Sequence, residues 1–141
     1  MSRSARAVDR LRDAGLRRTP ARVAAWSALL AAGRPLSHAE VRLGAGPAID
    51  DITLYRALRA FEAAGLVHRV HGTDGVDRFG ANQPGSAGCP GNHVHFLCAA
   101  CGEMTCLSDQ PLPRVAVPAG ASVDGRHFLV FGRCAPCGSA R

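Results

Sequence analysis

Four cysteines of this chain occur as two Cys-x-x-Cys pairs, and residues with this spacing could bind a metal ion. Cys98 and Cys101 form the first pair, and Cys134 and Cys137 form the second. Two such pairs can bring four thiolates to one tetrahedral ion, and this arrangement is typical of structural zinc sites. Disulfides or redox thiols are the alternative interpretation. In a chain without a secretion signal the spacing favours metal, so we predict one structural Zn²⁺ per chain.

A second group of possible ligands surrounds the first cysteine pair. His93 and His95 alternate with apolar residues, which predicts a strand that directs both imidazoles to one face. Cys106 lies on the next predicted strand and could face the same site, and Cys89 lies in a flexible segment that could fold over it. The alternatives are exposed strand histidines and a small buried apolar cysteine.

Charge is distributed unevenly along the 141 residues. The formal net charge is +6, and all 17 basic residues are arginine. Residues 1–82 carry 13 arginines against 8 acids, whereas residues 83–141 carry 4 against 3. A basic first half indicates an anionic partner, most simply nucleic acid. No stretch approaches the roughly 18 apolar residues of a membrane span, and no apolar signal core follows the first arginines, so we expect a cytoplasmic protein without a membrane partner.

Four helices and a hairpin are predicted in the first half of the chain. Capping residues and glycine stops delimit the helices, and alternating apolar residues indicate the strands. Helices followed by a β-hairpin are typical of a winged helix-turn-helix, in which the fourth helix would enter a major groove. The predicted helices cover residues 4–14, 20–32, 37–43 and 52–64, and the predicted strands cover residues 66–71 and 76–79.

The second half of the chain begins with a segment rich in glycine and proline. It is followed by predicted strands over residues 93–97, 104–107 and 128–131, and prolines between the last two weigh against a long helix there. The predicted fold class is therefore α+β. Its parts are a winged-helix DNA-binding domain over residues 1–82, a linker over residues 83–92, and a small α/β or mainly β metal-binding dimerisation domain over residues 93–141.

The order winged helix, linker, His-x-His-x-x-Cys-x-x-Cys-Gly, strand and Cys-x-x-Cys resembles the ferric uptake regulator family. Leu16-Arg17-Arg18-Thr19-x-x-Arg22 and Thr53-Leu54-Tyr55-Arg56-x-Leu58 are similar to its early basic motif and to its recognition helix. The resemblance implies a homodimeric, metal-responsive repressor that binds AT-rich inverted repeats in double-stranded DNA. The residues expected to contact DNA are Arg17, Thr19, Arg22, Thr53, Tyr55, Arg56 and Arg59.

Departures from the family pattern bear on which metal is sensed. Asn92 stands where many members have a histidine, Gly80 stands where iron regulators often have a liganding glutamate, and Cys106 replaces a common acid. The sequence around His68 is similar to a ligand position of zinc-sensing relatives. A tetrahedral regulatory site needs four ligands, and the five candidates are His93, His95, Cys106, Cys89 and His68.

Thiol and imidazole ligands favour zinc over the oxygen-rich sites of iron or manganese. The predicted function is therefore a zinc-responsive repressor of metal uptake and homeostasis genes, similar to the zinc uptake regulator branch, with a second, regulatory Zn²⁺. One alternative is an iron- or peroxide-responsive regulator of the same family, in which Fe²⁺ occupies this site. A zinc-dependent thiol redox enzyme using Cys89 or Cys106 is less favoured, because no general base or oxyanion constellation is evident. A zinc-ribbon interaction module without a DNA role is a further alternative.

Overall fold

The computed structural model describes residues 3–82, 94–107, 110–124 and 126–139. In chain order its elements are α1 (Arg3–Asp13), α2 (Pro20–Ala32), β1 (Leu36–Ser37), α3 (His38–Ala45), α4 (Asp51–Ala63), β2 (Val67–His71), β3 (Asp77–Ala81), β4 (Val94–Cys98), β5 (Met104–Leu107), β6 (Phe128–Gly132) and α5 (Ala135–Ser139). The predicted α+β class is confirmed. The predicted linker over residues 83–92 lies outside the described residues, so the domain boundaries stay predictions.

The first helices begin at the capping residues that the sequence indicates. The Thr19 hydroxyl accepts the Arg22 N–H at 3.2 Å and starts α2. Ser37 and Glu40 form a reciprocal capping box at α3. The Asp50 carboxylate accepts the Thr53 N–H at 2.8 Å and starts α4. Each cap satisfies N–H groups that have no partner within the helix, which is why the predicted starts agree with the observed ones to within a residue.

The main hydrophobic core lies among the first four helices. Leu54, Leu58 and Phe61 of α4 are fully buried, as predicted for its inner face. They pack with Trp26, whose ring meets that of Phe61 edge-on at a centroid distance of 5.7 Å. Burying a side chain of this size stabilises the fold by roughly 1.5–3 kcal/mol. The core therefore fixes the orientation of α4 and leaves its opposite face exposed.

The hairpin belongs to a three-stranded sheet of order β1-β3-β2. Strand β1 pairs antiparallel with β3 and was not predicted, because two residues are too few to show a periodicity. Strand β3 also continues to Ala81, two residues beyond its predicted end at Phe79. The extension brings Gly80 into register with His68 on β2. It therefore adds a cross-strand pair at His68, one of the residues predicted for the regulatory site.

The second sheet has the order β5-β4-β6. The central strand β4 pairs antiparallel with β5 and parallel with β6, so both cysteine pairs lie at the same end of the sheet. In the described parts of residues 108–127 the structure has no helix, as the prolines indicate. The five-residue helix α5 was not predicted. Among the described residues no helix has the length and apolar character needed to cross a membrane.

A buried arginine joins the hairpin to the second sheet. The Arg78 residue is 3% exposed. Its terminal nitrogens donate to the Asp74 carboxylate at 3.1 and 2.8 Å, and its Nε donates to the Gly102 carbonyl at 3.1 Å. The hydrogen bonds from Arg78 lower the pKa of Asp74 to about 2. The turn of the hairpin is thus held against the loop that carries the first cysteine pair.

We expect Asp74→Asn to destabilise the protein at neutral pH by about 1 kcal/mol, because it leaves the Arg78 charge buried without its counter-charge. This figure allows for solvent screening, since the Asp74 side chain is 39% exposed. The asparagine oxygen can still accept the Val76 N–H, so the turn itself is retained.

A carboxylate with a lowered pKa stabilises the folded state above its unfolded pKa, and the stabilisation disappears as the pH falls through its folded pKa. The difference in urea midpoint between wild type and Asp74→Asn should therefore be constant above about pH 4 and shrink towards pH 2. A difference independent of pH over this range would contradict the ion pair.

Candidate metal centres

The four paired cysteines converge at one end of the second sheet. Cys98 ends β4, and the chain turns at Gly102, which has a φ of 79° and so adopts a conformation that favours glycine. The parallel neighbour β6 leads directly into the second pair at the same sheet end. All four sulfur atoms lie within 4.8 Å of one another. The predicted convergence of the two pairs is therefore present in the fold.

The sulfur spacing fits a tetrahedral ion rather than a disulfide. The Cys101 and Cys134 sulfur atoms are 3.9 Å apart, close to the roughly 3.8 Å that zinc–sulfur bonds of about 2.3 Å impose on a tetrahedron. A disulfide would need about 2.05 Å. None of the five described cysteines is in a disulfide.

Backbone N–H groups prepare one of these thiols to carry a negative charge. The Cys98 sulfur accepts the N–H groups of Cys101 at 3.4 Å and Cys134 at 3.3 Å. These hydrogen bonds lower the pKa of Cys98 to about 6. The hydrogen bonds with the sulfurs of Cys134, Cys98 and Cys101 raise the pKa of Cys137 to about 12. Four thiolates would repel one another at this spacing, so the full ligand set needs a central cation.

A second cluster lies between the hairpin and the second sheet. It contains His68, His95 and Cys106, whose ligand atoms all lie within 4.8 Å of one another. His95 on β4 is directly opposite Cys106 on β5, and His68 arrives from β2 of the hairpin. The exposed fractions of His68 and His95 are only 7% and 2%. The structure thus brings together three of the five residues predicted for the regulatory site, whereas Cys89 and His93 lie outside the described residues.

The two imidazoles in this cluster have a spacing that fits one zinc ion. The His68 and His95 Nε2 atoms are 3.3 Å apart. Two nitrogens bonded tetrahedrally to zinc at about 2.05 Å are also about 3.3 Å apart. The separation of the two Nε2 atoms is therefore the one that a shared zinc ion requires.

Asn82 orients the His68 ring and was not identified as a site residue from the sequence. Its Oδ1 lies 2.8 Å from His68 Nδ1, and its Nδ2 donates to the Gly65 carbonyl at 2.9 Å. Because the amide nitrogen is committed to Gly65, the oxygen faces the ring and can only accept, which places the imidazole proton on Nδ1. His68 Nε2 then carries the lone pair of the ring, and it is the atom that lies 3.3 Å from His95 Nε2. An amide one residue beyond the end of β3 is the only sequence signal for this role.

The face of α4 opposite the core carries the predicted DNA-contacting residues. Thr53, Tyr55, Arg56 and Arg59 are all exposed. The Arg59 guanidinium lies 5.8 Å from the centre of the Tyr55 ring, and the Thr53 hydroxyl donates to the Asp50 carboxylate at 2.9 Å. The helix therefore presents an aromatic and two basic side chains to solvent.

The residues of the early basic motif lie at the start of α2. Arg17 is exposed, Thr19 caps the helix, and Arg22 is half-buried. A terminal nitrogen of Arg22 donates to the Arg17 carbonyl at 3.4 Å. Thr19 and Arg22 thus have structural roles in this turn, and their contact with DNA stays a prediction.

A comparison of sequences identifies the family of this chain. Residues 13–117 match the ferric uptake regulator family. The chain belongs to this family. Ferric uptake regulation protein 1 of Mycolicibacterium fortuitum is 33% identical over 132 residues, which cover 86% of this chain and 75% of that protein. The peroxide-responsive repressor PerR of Staphylococcus aureus strain Mu50 is 30% identical over 134 residues, which cover 90% and 86%.

A solved structure shows the same architecture over nearly the whole chain. The crystal structure of holo XcZur superposes with a TM-score of 0.60 at 26% sequence identity, covering 99% of this chain and all of that one. The resemblance inferred from the motifs is therefore confirmed. The ferric uptake regulator family comprises metal-responsive transcriptional regulators. Its members similar to this chain include both an iron-uptake and a peroxide-responsive regulator, so membership by itself does not identify the effector.

Proposed function

We propose that this member of the ferric uptake regulator family is a zinc-responsive repressor that acts in the cytoplasm as a homodimer. It binds AT-rich inverted repeats and controls genes of metal uptake and homeostasis. The observation that carries the proposal is the cluster of His68, His95 and Cys106 between the hairpin and the second sheet. We propose a regulator rather than a thiol redox enzyme, because Cys106 shares its cluster with two imidazoles that suit a metal.

The composition of this cluster supports zinc as the effector. The three described ligands are two imidazole nitrogens and one thiol, and the group contains no carboxylate. Such ligands favour zinc, whereas carboxylate-rich sites suit iron and manganese. The 3.3 Å spacing of the two Nε2 atoms fits the same ion. We propose Cys89 or His93 as the fourth ligand. An Fe²⁺-responsive or peroxide-responsive regulator remains the second candidate, supported by the family relatives.

The position of the cluster supports a regulatory role. His68 belongs to the hairpin beside the DNA-binding helices, whereas His95 and Cys106 belong to the second sheet. When bound, one zinc ion would be coordinated by ligands from both the hairpin and the second sheet. Ligands from both sides then restrict how the winged helix can lie relative to the dimerisation part. Since two half-sites on DNA accept only one spacing and angle, this restriction couples metal binding to DNA binding.

The four paired cysteines suit a different role. They lie at the end of a single sheet and contain no residue from the hairpin. We propose that they hold one structural Zn²⁺ per chain, which fastens the ends of β4 and β6 together. Cys98 has little other hydrophobic support, since among the described residues the second buried cluster consists of Val70, Leu97 and Met104, with Leu129 packed against it.

The first prediction from this proposal concerns the structural zinc. Cys98→Ser should lose the ion and unfold the second sheet, because zinc binding to such sites contributes about 10–16 kcal/mol, comparable with the whole stability of a domain. Zinc content of the purified protein, circular dichroism and sedimentation would measure this. The matched control is Cys106→Ser, which should keep one tightly bound zinc and the folded dimer. A Cys98→Ser protein that remains dimeric with unchanged thermal stability would contradict the assignment.

The second prediction concerns the regulatory site. His95→Ala and Cys106→Ser should stay folded and keep the structural zinc, but bind the second zinc at least tenfold more weakly and lose zinc-dependent DNA binding. Titration against a chromophoric chelator and a gel shift at controlled free zinc would measure both effects. Whichever of Cys89→Ser and His93→Ala gives the same loss identifies the fourth ligand. A Cys106→Ser protein that responds to zinc like the wild type would favour the iron-responsive alternative.

The third prediction concerns DNA. Arg56→Ala should weaken binding to an AT-rich inverted repeat by about tenfold or more, since a base contact contributes roughly 1–3 kcal/mol, and should leave metal content unchanged. Arg17→Ala should weaken binding with less change in base preference, as expected of a phosphate or minor-groove contact. Arg114→Ala, an exposed arginine of the second half, is the charge-matched control. Equal effects of Arg56→Ala and Arg114→Ala at physiological salt would contradict α4 as the recognition helix.

A further inference from the structure

We infer that Gly80 and Asn82 are positioning residues that hold the His68 imidazole in the second cluster. Because Gly80 has no side chain, the imidazole of His68 on β2 can occupy the space next to it and provide the ligand from the hairpin. This inference rests on the proposed zinc site and names two residues that are not themselves ligands.

The first observation is the space that the His68 ring occupies. His68 and Gly80 are directly paired across β2 and β3, so side chains at the two positions would stand next to each other on one face of the sheet. A Cβ atom placed on Gly80 would lie 2.6 Å from His68 Cε1 and 2.8 Å from its Nε2. Ordinary carbon contacts are about 3.5–4.0 Å. The imidazole therefore lies over the backbone of residue 80, in the volume that any other side chain would fill.

The glycine at this position is not required by the backbone. Gly80 is not among the glycines with positive φ, so an alanine could adopt its conformation. In addition, β3 is the central strand of the order β1-β3-β2. It pairs with β2 from Asp77 to Ala81, and with β1 at Arg78 and Phe79, immediately before Gly80. The strand cannot easily move away from an added methyl group, so the imidazole is the part that must move.

The His68 ring is held in a defined orientation, which displacement by an added side chain would disrupt. Its Nδ1 is 2.8 Å from the Asn82 Oδ1, and its Nε2 is 3.3 Å from the His95 Nε2. Asn82 is fixed in turn, because its backbone N–H donates to the Leu66 carbonyl at 2.8 Å and its side-chain nitrogen donates to Gly65. Residues that orient a metal-binding histidine in this way typically contribute 10–100-fold to metal affinity.

The experiment compares Gly80→Ala, His68→Ala and the double variant, each as the full-length protein with its structural zinc. Affinity for the second zinc is measured by chelator competition, and thermal stability is measured without added zinc. Gly80→Ala should weaken the second zinc by at least tenfold, as His68→Ala does, and the double variant should be no weaker than either single variant. Gly80→Ala should also lower the midpoint of thermal unfolding. The double variant should recover part of that loss, because alanine at position 68 vacates the space.

The matched control is Gly132→Ala, a strand glycine whose added Cβ would meet only the Phe96 ring at an ordinary 3.7 Å. It should leave the affinity for the second zinc unchanged. Wild-type affinity in Gly80→Ala would overturn the inference. If His68→Ala itself binds the second zinc normally, the proposed ligand set is wrong. In that case the thermal unfolding midpoints still test whether residue 80 and the His68 ring compete for one space. A double variant no more stable than Gly80→Ala would overturn that part of the inference.

The role of Asn82 in orienting the ring is tested through the tautomer of His68, which a merely structural role of Asn82 would not change. In wild type that holds the structural zinc and no second zinc, nitrogen NMR shifts of His68 should show the proton on Nδ1. Asn82→Ala should shift the tautomer towards Nε2–H and weaken the second zinc by about tenfold, with the structural zinc retained. An unchanged tautomer in Asn82→Ala would overturn the role of Asn82.

Discussion

The contact between the hairpin and the second sheet is the constraint on which the arrangement of this protein depends. It includes the close approach of His68 to His95, the buried Arg78 with its bond to the Gly102 carbonyl, and a small apolar cluster around Val70 and Leu97. Both polar and apolar groups take part in this contact. A buried polar interface is sensitive to the loss of any one partner, because the remaining group keeps its desolvation cost. The relative position of the two parts can therefore depend on a ligand.

Strand β4 connects the two metal clusters. It carries His95 as its second residue and Cys98 as its last, and it is the central strand of the second sheet. If the cysteine cluster fastens β4 to β6, it also fixes the strand from which the His95 ring projects. The structural ion would then be a precondition for the regulatory site rather than an independent feature. The two sites differ in location accordingly: one lies within a single sheet, and the other bridges two parts of the chain.

Local chemistry made much of the fold predictable from the sequence. Thr19, Ser37 and Asp50 start their helices by capping, and glycine stops end them, since these signals act within a few residues. Strand β1 and helix α5 were not predicted because they are too short to show a periodicity. The burial of Arg78 and the orienting role of Asn82 were also missed, since both depend on partners that no local pattern specifies. The cysteine cluster was predictable because its spacing encodes its chemistry, whereas the approach of His68 to His95 required the tertiary fold.

The second cluster also has a consequence for the stability of the protein. Two imidazoles with 7% and 2% exposure lie in a region where apolar side chains would pack at lower cost. An ion that binds this arrangement of the chain and not the open or unfolded one stabilises it in proportion to the logarithm of its free concentration. The affinity that a regulator of this kind needs is therefore set by two quantities: the intrinsic strength of its ligands, and the free energy required to bring the hairpin and the second sheet together without the metal. Arg78, which contributes no ligand but bonds to the Gly102 carbonyl, acts on the second quantity. Gly80 and Asn82 act on the first, because they hold the His68 ring in place. They could adjust the zinc concentration at which the protein responds while the ligands remain the same.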